Sequence, residues 1–118
     1  MKKVMHKKFG RHYLVELIGC DPRPLKRVAD VQKLLLRAAR KSQATILKYF
    51  FHQFAPAGVT GIILITESHF FIHTWPDDRY AALDIFTCGT MRPQAAIADL
   101  KKSFGAQKLR IRTFARGF

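Results

Sequence analysis

Apolar residues recur along this chain in two rhythms, and the switches between them predict eight elements. Residues 12–18 alternate: Tyr13, Val15 and Leu17 fall on one face, Leu14, Glu16 and Ile18 on the other, the period of a strand. The charged residues 1–11 before it show no period and predict a frayed lead-in. Two prolines, Pro22 and Pro24, punctuate a loop over residues 19–24, because each fixes φ and restrains its predecessor. Residues 25–41 change rhythm. Val28, Val31, Leu35 and Ala38 recur at helical spacing, widened by Leu34 and Ala39, and Lys26, Arg27, Lys33, Arg37, Arg40 and Lys41 cover much of the remainder. Residues 44–51 return to a strand pattern, with Phe50, Phe51 and Phe54 gathered before a Pro56-Ala57-Gly58 turn. Three more strands are expected over 59–66, 69–75 and 80–88, a second helix over 92–104, and a last strand over 107–114 with Leu109 and Ile111 facing inward. A short Arg-Gly-Phe tail is expected to follow.

The order β-α-β-β-β-β-α-β, with short links between the central strands, predicts a mainly antiparallel sheet with both helices on one face. This is an α/β (α+β) two-layer sandwich in one domain over residues 1–118. Glu16 allows two readings at this stage: an edge strand that leaves it in water, or a carboxylate aimed into a pocket.

Composition narrows the class. A hydrophobic content of 48% with 12% aromatics excludes a disordered chain. The net charge of +13 admits nucleic acid, an anionic membrane or an acidic partner beside a merely solvated basic surface. Two cysteines are too few for a disulfide framework, and the basic start is followed only by the short apolar run YLVELI. No apolar stretch approaches the roughly 20 residues that span a bilayer, so a reducing cytoplasm is expected. The charge is also uneven. Between positions 49 and 91 one basic residue, Arg79, stands against four acidic ones, Glu67, Asp77, Asp78 and Asp84. A nearly neutral centre in a basic protein marks residues 58–89 as the candidate site.

That stretch carries Thr60, Glu67, Ser68, His69, His73, Asp77 and Cys88. No GxSxG elbow surrounds Ser68, and the chain has no Walker loop, GxGxxG or HExxH. His69 and His73 share a strand face but stand about 13 Å apart, too far for one zinc ion. Ser68, His73 and Cys88 could instead act as nucleophile, base and proton carrier. With a turn at 76–79, paired positions sum to about 156 and set Cys88 opposite Ser68. His73 lies five residues from Ser68, roughly 16 Å along an uninterrupted strand and on its other face. Residues 66–68 must bend if the three are to meet.

The run ESHFFIHTWP, followed by FTCG and preceded by HQFAPAGVTG, closely resembles the bacterial and archaeal S-adenosylmethionine decarboxylase proenzymes. The likeness extends from Gly10-Arg11-His12 through Gly19-Cys20-Asp21 to the final Arg-Gly. It implies self-cleavage between Glu67 and Ser68 by an N→O acyl shift and β-elimination, giving a β chain of residues 1–67 and an α chain of residues 68–118. Ser68 would become a covalent pyruvoyl group that forms a Schiff base with the substrate. The resemblance assigns the processing base to His73, with support from the hydroxyl of Thr60 where the family usually has serine, and the proton donor to Cys88. It gives Phe54 the adenine and the sulfonium, and it sets the Glu67 backbone near the base. The implied product is decarboxylated S-adenosylmethionine for spermidine synthesis, and the implied assembly is a homodimer of αβ units.

One position departs from the pattern. Asp77 stands where the family has a ribose-holding glutamate, and Asp78-Arg79 follow it. This shorter side chain leaves two alternatives beside the main reading: decarboxylation of ornithine or arginine on the same scaffold, or a catalytically silent paralogue acting as a regulator or on nucleic acid.

Overall fold

The computed structural model describes residues 6–118, and within it the chain forms a six-stranded antiparallel sheet backed by two helices. The elements are β1 (Lys8–Ile18), α1 (Val28–Lys41), β2 (Ile46–Gln53), β3 (Val59–Ile65), β4 (Ser68–Trp75), β5 (Tyr80–Thr87), α2 (Pro93–Ser103) and β6 (Lys108–Gly117). Their order across the sheet is β2-β3-β4-β5-β1-β6. Four consecutive strands thus form a meander, and β1 slots between β5 and β6.

This topology revises several expectations. Lys8–Arg11 of the expected lead-in belong to β1, where β6 pairs with them; residues 1–5 lie outside the described residues. The Arg-Gly of the expected tail likewise extends β6, with Arg116 opposite Gly10. β1 is an interior strand, and Glu16 accepts a hydrogen bond from the Tyr80 hydroxyl at 2.8 Å. α1 starts three residues later than its periodicity suggests, after a short 3-10 turn over Arg23–Leu25. Its first N–H, on Val28, donates to the Gln53 side-chain oxygen at 2.8 Å, so a residue of β2 caps the helix.

The core lies between the helices and one sheet face. Val15 and Leu17 of β1, Val59 and Ile63 of β3, Phe70 and Ile72 of β4, and Leu83 and Ile85 of β5 pack there. They meet Val31, Leu35, Ala38 and Ala39 of α1 and Ala96, Ile97 and Leu100 of α2. Burying each large side chain stabilises the fold by about 1.5–3 kcal/mol. Ile111 departs from its expected role: β6 runs past the helices as an edge strand, and its side chain stays exposed. A single acid joins the helices, Asp99 of α2 receiving Lys41 at 2.8 Å and Arg37 at 3.4 Å.

The other sheet face has no helix over it. Phe50, Leu64, Trp75 and Phe114 lie on it, 43–68% exposed. Such a face on an ordinary monomer would be polar.

Candidate active site

The hairpin between β4 and β5 positions most of the candidate chemistry. Its turn is a 3-10 segment, Pro76–Asp78, closed by Arg79 in the left-handed region at φ 51°. The register pairs Trp75 with Tyr80 and Ser68 with Thr87, so paired positions sum to 155. The turn occupies the expected residues 76–79, which set Trp75 opposite Tyr80, and the expected sum of about 156 was one too high. Cys88 therefore lies opposite Glu67. Its backbone N–H donates to the Glu67 carbonyl at 3.0 Å, and its Sγ lies 3.0 Å from the same oxygen. On the other side of that peptide bond, Ser68 has φ 149°, a region costly to any residue but glycine, by about 1–3 kcal/mol. The Glu67 carboxylate accepts the Thr45 N–H at 3.1 Å.

The opposite end of β4 holds a different set. Thr60 pairs with His73 across β3 and β4, and the Thr60 hydroxyl lies 3.0 Å from His73 Nδ1. That contact fixes the ring and leaves Nε2 as the free nitrogen. A cavity of about 350 Å³ opens beside it, lined by Phe54, Thr60, His73, Trp75 and Asp77. His52 meets the Phe54 ring edge to face at 4.7 Å. Aromatic carbon, one imidazole and a carboxylate suit a flat, cationic, polar-edged ligand.

β4 runs without a break from Ser68 to Trp75, so residues 66–68 do not bend the serine toward His73. The five-residue separation keeps the two about 16 Å apart. Within one chain, then, Ser68, Glu67 and Cys88 form one cluster, and Thr60, His73, Phe54 and Asp77 form another.

Around Ser68 the helix-free face carries two further imidazoles. His12 and His69 border the same recess as Ser68, their rings edge to face at 6.1 Å. Burial, reinforced by the neighbouring His12 and opposed by Asp84, pushes the His69 imidazole below its ordinary value. His12 Nε2 is buried without a partner. The other cysteine is inert: burial pushes the Cys20 thiol up to about 11. Neither the Thr45 contact nor the His12–His69 pair was read from the sequence. Thr45 acts through its backbone, which leaves no side-chain signal, whereas His12 sits in the Gly-Arg-His run that carried the resemblance.

A family model described as S-adenosylmethionine decarboxylase matches residues 11–117. An S-adenosylmethionine decarboxylase proenzyme of Thermodesulfovibrio yellowstonii is 42% identical over 109 residues, covering 92% of this chain and 81% of the relative. Its counterpart in Parasynechococcus marenigrum is 45% identical, covering 91% and 84%, and that of Pyrococcus abyssi is 37% identical, covering 92% and 78%. The crystal structure of adenosylmethionine decarboxylase from Aquifex aeolicus VF5 superposes with a TM-score of 0.88 at 32% identity, covering 95% of this chain and 93% of that one.

Proposed function

The chain belongs to the S-adenosylmethionine decarboxylase family, and on that premise we propose how its own residues divide the work. It is a pyruvoyl-dependent lyase made as a self-cleaving proenzyme, and it decarboxylates S-adenosylmethionine for polyamine synthesis. The ornithine, arginine and silent-paralogue alternatives are not favoured, since the relatives compared are named for the S-adenosylmethionine reaction.

Ser68 is the pyruvoyl precursor and Glu67–Ser68 the bond that breaks. The observation carrying this assignment is the grip of Cys88 on the Glu67 carbonyl beside the strained Ser68. Attack by the Ser68 hydroxyl on that carbonyl moves negative charge onto an oxygen already facing an N–H and a thiol. The Glu67–Ser68 C–N bond breaks as the ester forms, and the backbone nitrogen takes the proton. Loss of the Ser68 Cα proton then breaks the Cβ–O ester bond and frees Glu67 as a carboxylate; the enamine left behind gains a proton at Cβ, and water displaces its nitrogen as ammonia to leave the ketone. The surroundings fit that group, because Cys88 stays beside the new α-chain start. Carried at residue 68 beside Cys88, a pyruvoyl group would supply the electrophilic ketone and electron sink that decarboxylation of an amino acid needs.

The chain's side chains do the rest. Cys88 returns a proton to the substrate carbon. His73, held by Thr60, takes the protons of processing through its free nitrogen. Phe54 packs on the adenine and attracts the sulfonium, the Glu67 backbone lies near the base, and Asp77 accepts from the ribose hydroxyls, through water where its shorter side chain falls short.

A second copy completes the site. Two-fold packing of the helix-free faces, about an axis perpendicular to the strands, reverses β4 in the partner and sets each Ser68 end against the other chain's His73 end. The aromatic face supports this pairing, as does the roughly 16 Å between the two clusters in one chain. The assembly is thus a homodimer of αβ units. We place it in the cytoplasm, where free Cys88 stays reduced; no helix among the described residues is long and apolar enough to cross a membrane. Intact mass tests the cleavage and carbon dioxide release tests the substrate. Wild type should split after Glu67 with a blocked α chain and act on S-adenosylmethionine. Ser68→Ala should stay whole and inactive, and activity on ornithine or arginine alone would overturn the substrate assignment.

A further inference from the structure

Glu67 is held more firmly than a two-residue turn between antiparallel strands requires. Its carboxylate accepts the Thr45 N–H at 3.1 Å, and the preceding residue returns the bond, the Thr66 N–H donating to the Thr45 carbonyl at 3.0 Å. The segment between α1 and β2 therefore grips both residues of the turn. On the other side Glu67 packs against Gly89, where an added Cβ would lie 2.7 Å from Glu67 Cγ. No left-handed φ explains that glycine, so the space it leaves is what matters. Burial tends to raise the Glu67 carboxyl, but hydrogen bonds from the Thr45 N–H and the Thr66 side chain outweigh it and leave the group below its ordinary value.

We propose that Thr45, Glu67 and Gly89 form a clamp that aims the Glu67 carbonyl at Cys88, making the Glu67 side chain a positioning residue for self-cleavage. The proposal rests on reading Glu67–Ser68 as the cleaved bond. A turn peptide can rotate between orientations that differ little in energy, and only one of them turns this carbonyl toward both Cys88 donors. Rotation is blocked when the side chain of the same residue is tied to Thr45 above and wedged on Gly89 below. The wedge is one residue from Cys88, so the two partners of the Glu67 carbonyl move together. This gives the glycine of FTCG and the glutamate of ESH one shared reason for their identities: each occupies the space the other leaves.

Cell-free synthesis of the full chain, followed by intact mass over time, measures the clamp directly. Glu67→Ala and Gly89→Ala should lengthen the cleavage half-time at least ~10-fold, the scale of losing one aimed donor or about 1 Å of alignment. Glu67→Gln keeps an acceptor for Thr45 and should stay within about threefold of wild type. In the uncleavable Ser68→Ala background, hydrogen exchange at the Thr45 N–H should accelerate with Glu67→Ala and not with Glu67→Gln. Cleavage of Glu67→Ala at the wild-type rate would overturn the clamp, as would a Gln variant as slow as the Ala variant. A wild-type chain that never splits would sink the cleavage assignment, and the clamp with it; a wild type that splits beside unaffected variants would sink the clamp alone.

Discussion

The two ends of β4 are chemically unlike although one strand carries both. At the Ser68 end the backbone is the reactive part: a strained φ, a carbonyl faced by an N–H and a thiol, and a glutamate pinned by main chain. At the His73 end the side chains do the work, with an oriented imidazole, an aromatic ring and a carboxylate around a cavity. In the function proposed above, the first end is cut once, and the second moves protons and holds a ligand. A single strand cannot bring them together, because its rigidity fixes the distance. In the proposed dimer, a second β4 running the opposite way across the first would bring the two ends together.

The sharpest way to break this comparison is at the His73 end. His73→Ala should slow cleavage by about 10²–10⁴, the usual range for losing a proton-transfer group, as intact mass would register. Thr60→Val keeps the shape but removes the hydroxyl and should cost roughly tenfold, with Thr60→Ser near wild type. Equal cleavage in all three would make the second cluster irrelevant to processing. At the Ser68 end, Cys88→Ala should separate the two roles of that residue. The backbone N–H remains, so the chain still splits, about tenfold more slowly; carbon dioxide release by the split enzyme should fall about 10²-fold or more for want of the proton donor. Normal turnover would put the donor elsewhere.

Smaller effects sharpen the contrast. Asp77→Asn should raise KM for S-adenosylmethionine about tenfold with little change in kcat, whereas Asp77→Glu should lower KM. A changed kcat with constant KM would remove Asp77 from binding. The smallest effect concerns pH. His69 has a depressed folded pKa, so on acidification the unfolded chain takes up its proton first. This contribution to stability is complete above about pH 6.5 and is lost as pH falls from there toward the folded value. Denaturant midpoints should decline over that window in wild type and less so in His69→Gln. Parallel decline in both would assign the proton to another group.

Much of the fold was legible because periodicity reports burial. Strand alternation and the Val31–Leu35–Ala38 stripe located every element. The misjudged ends arose where tertiary pairing overrides local pattern: Lys8–Arg11 and Arg116 lack an apolar period and are ordered by each other across β1 and β6. No local signal reveals that β1 sits inside the sheet, because strand order depends on contacts distant in sequence. Ser68, His73 and Cys88 were visible as types, and their grouping was not. Spacing already gave about 16 Å between Ser68 and His73, and the unbroken β4 shows that the bend needed to join them within one chain is absent. Nothing in the sequence could show that a backbone N–H from Thr45 holds Glu67.

Mixing two impaired variants tests the divided site most directly. Ser68→Ala chains, which cannot cleave, and His73→Ala chains, which cleave only slowly alone, would be co-expressed with tags of different mass. If one copy's His73 serves the other's Ser68, the chain carrying His73→Ala should be cut by its Ser68→Ala partner, while the Ser68→Ala chain stays whole. Failure of the His73→Ala chain to split faster than it does alone, in a mixture shown by native mass to contain the heterodimer, would contradict the account.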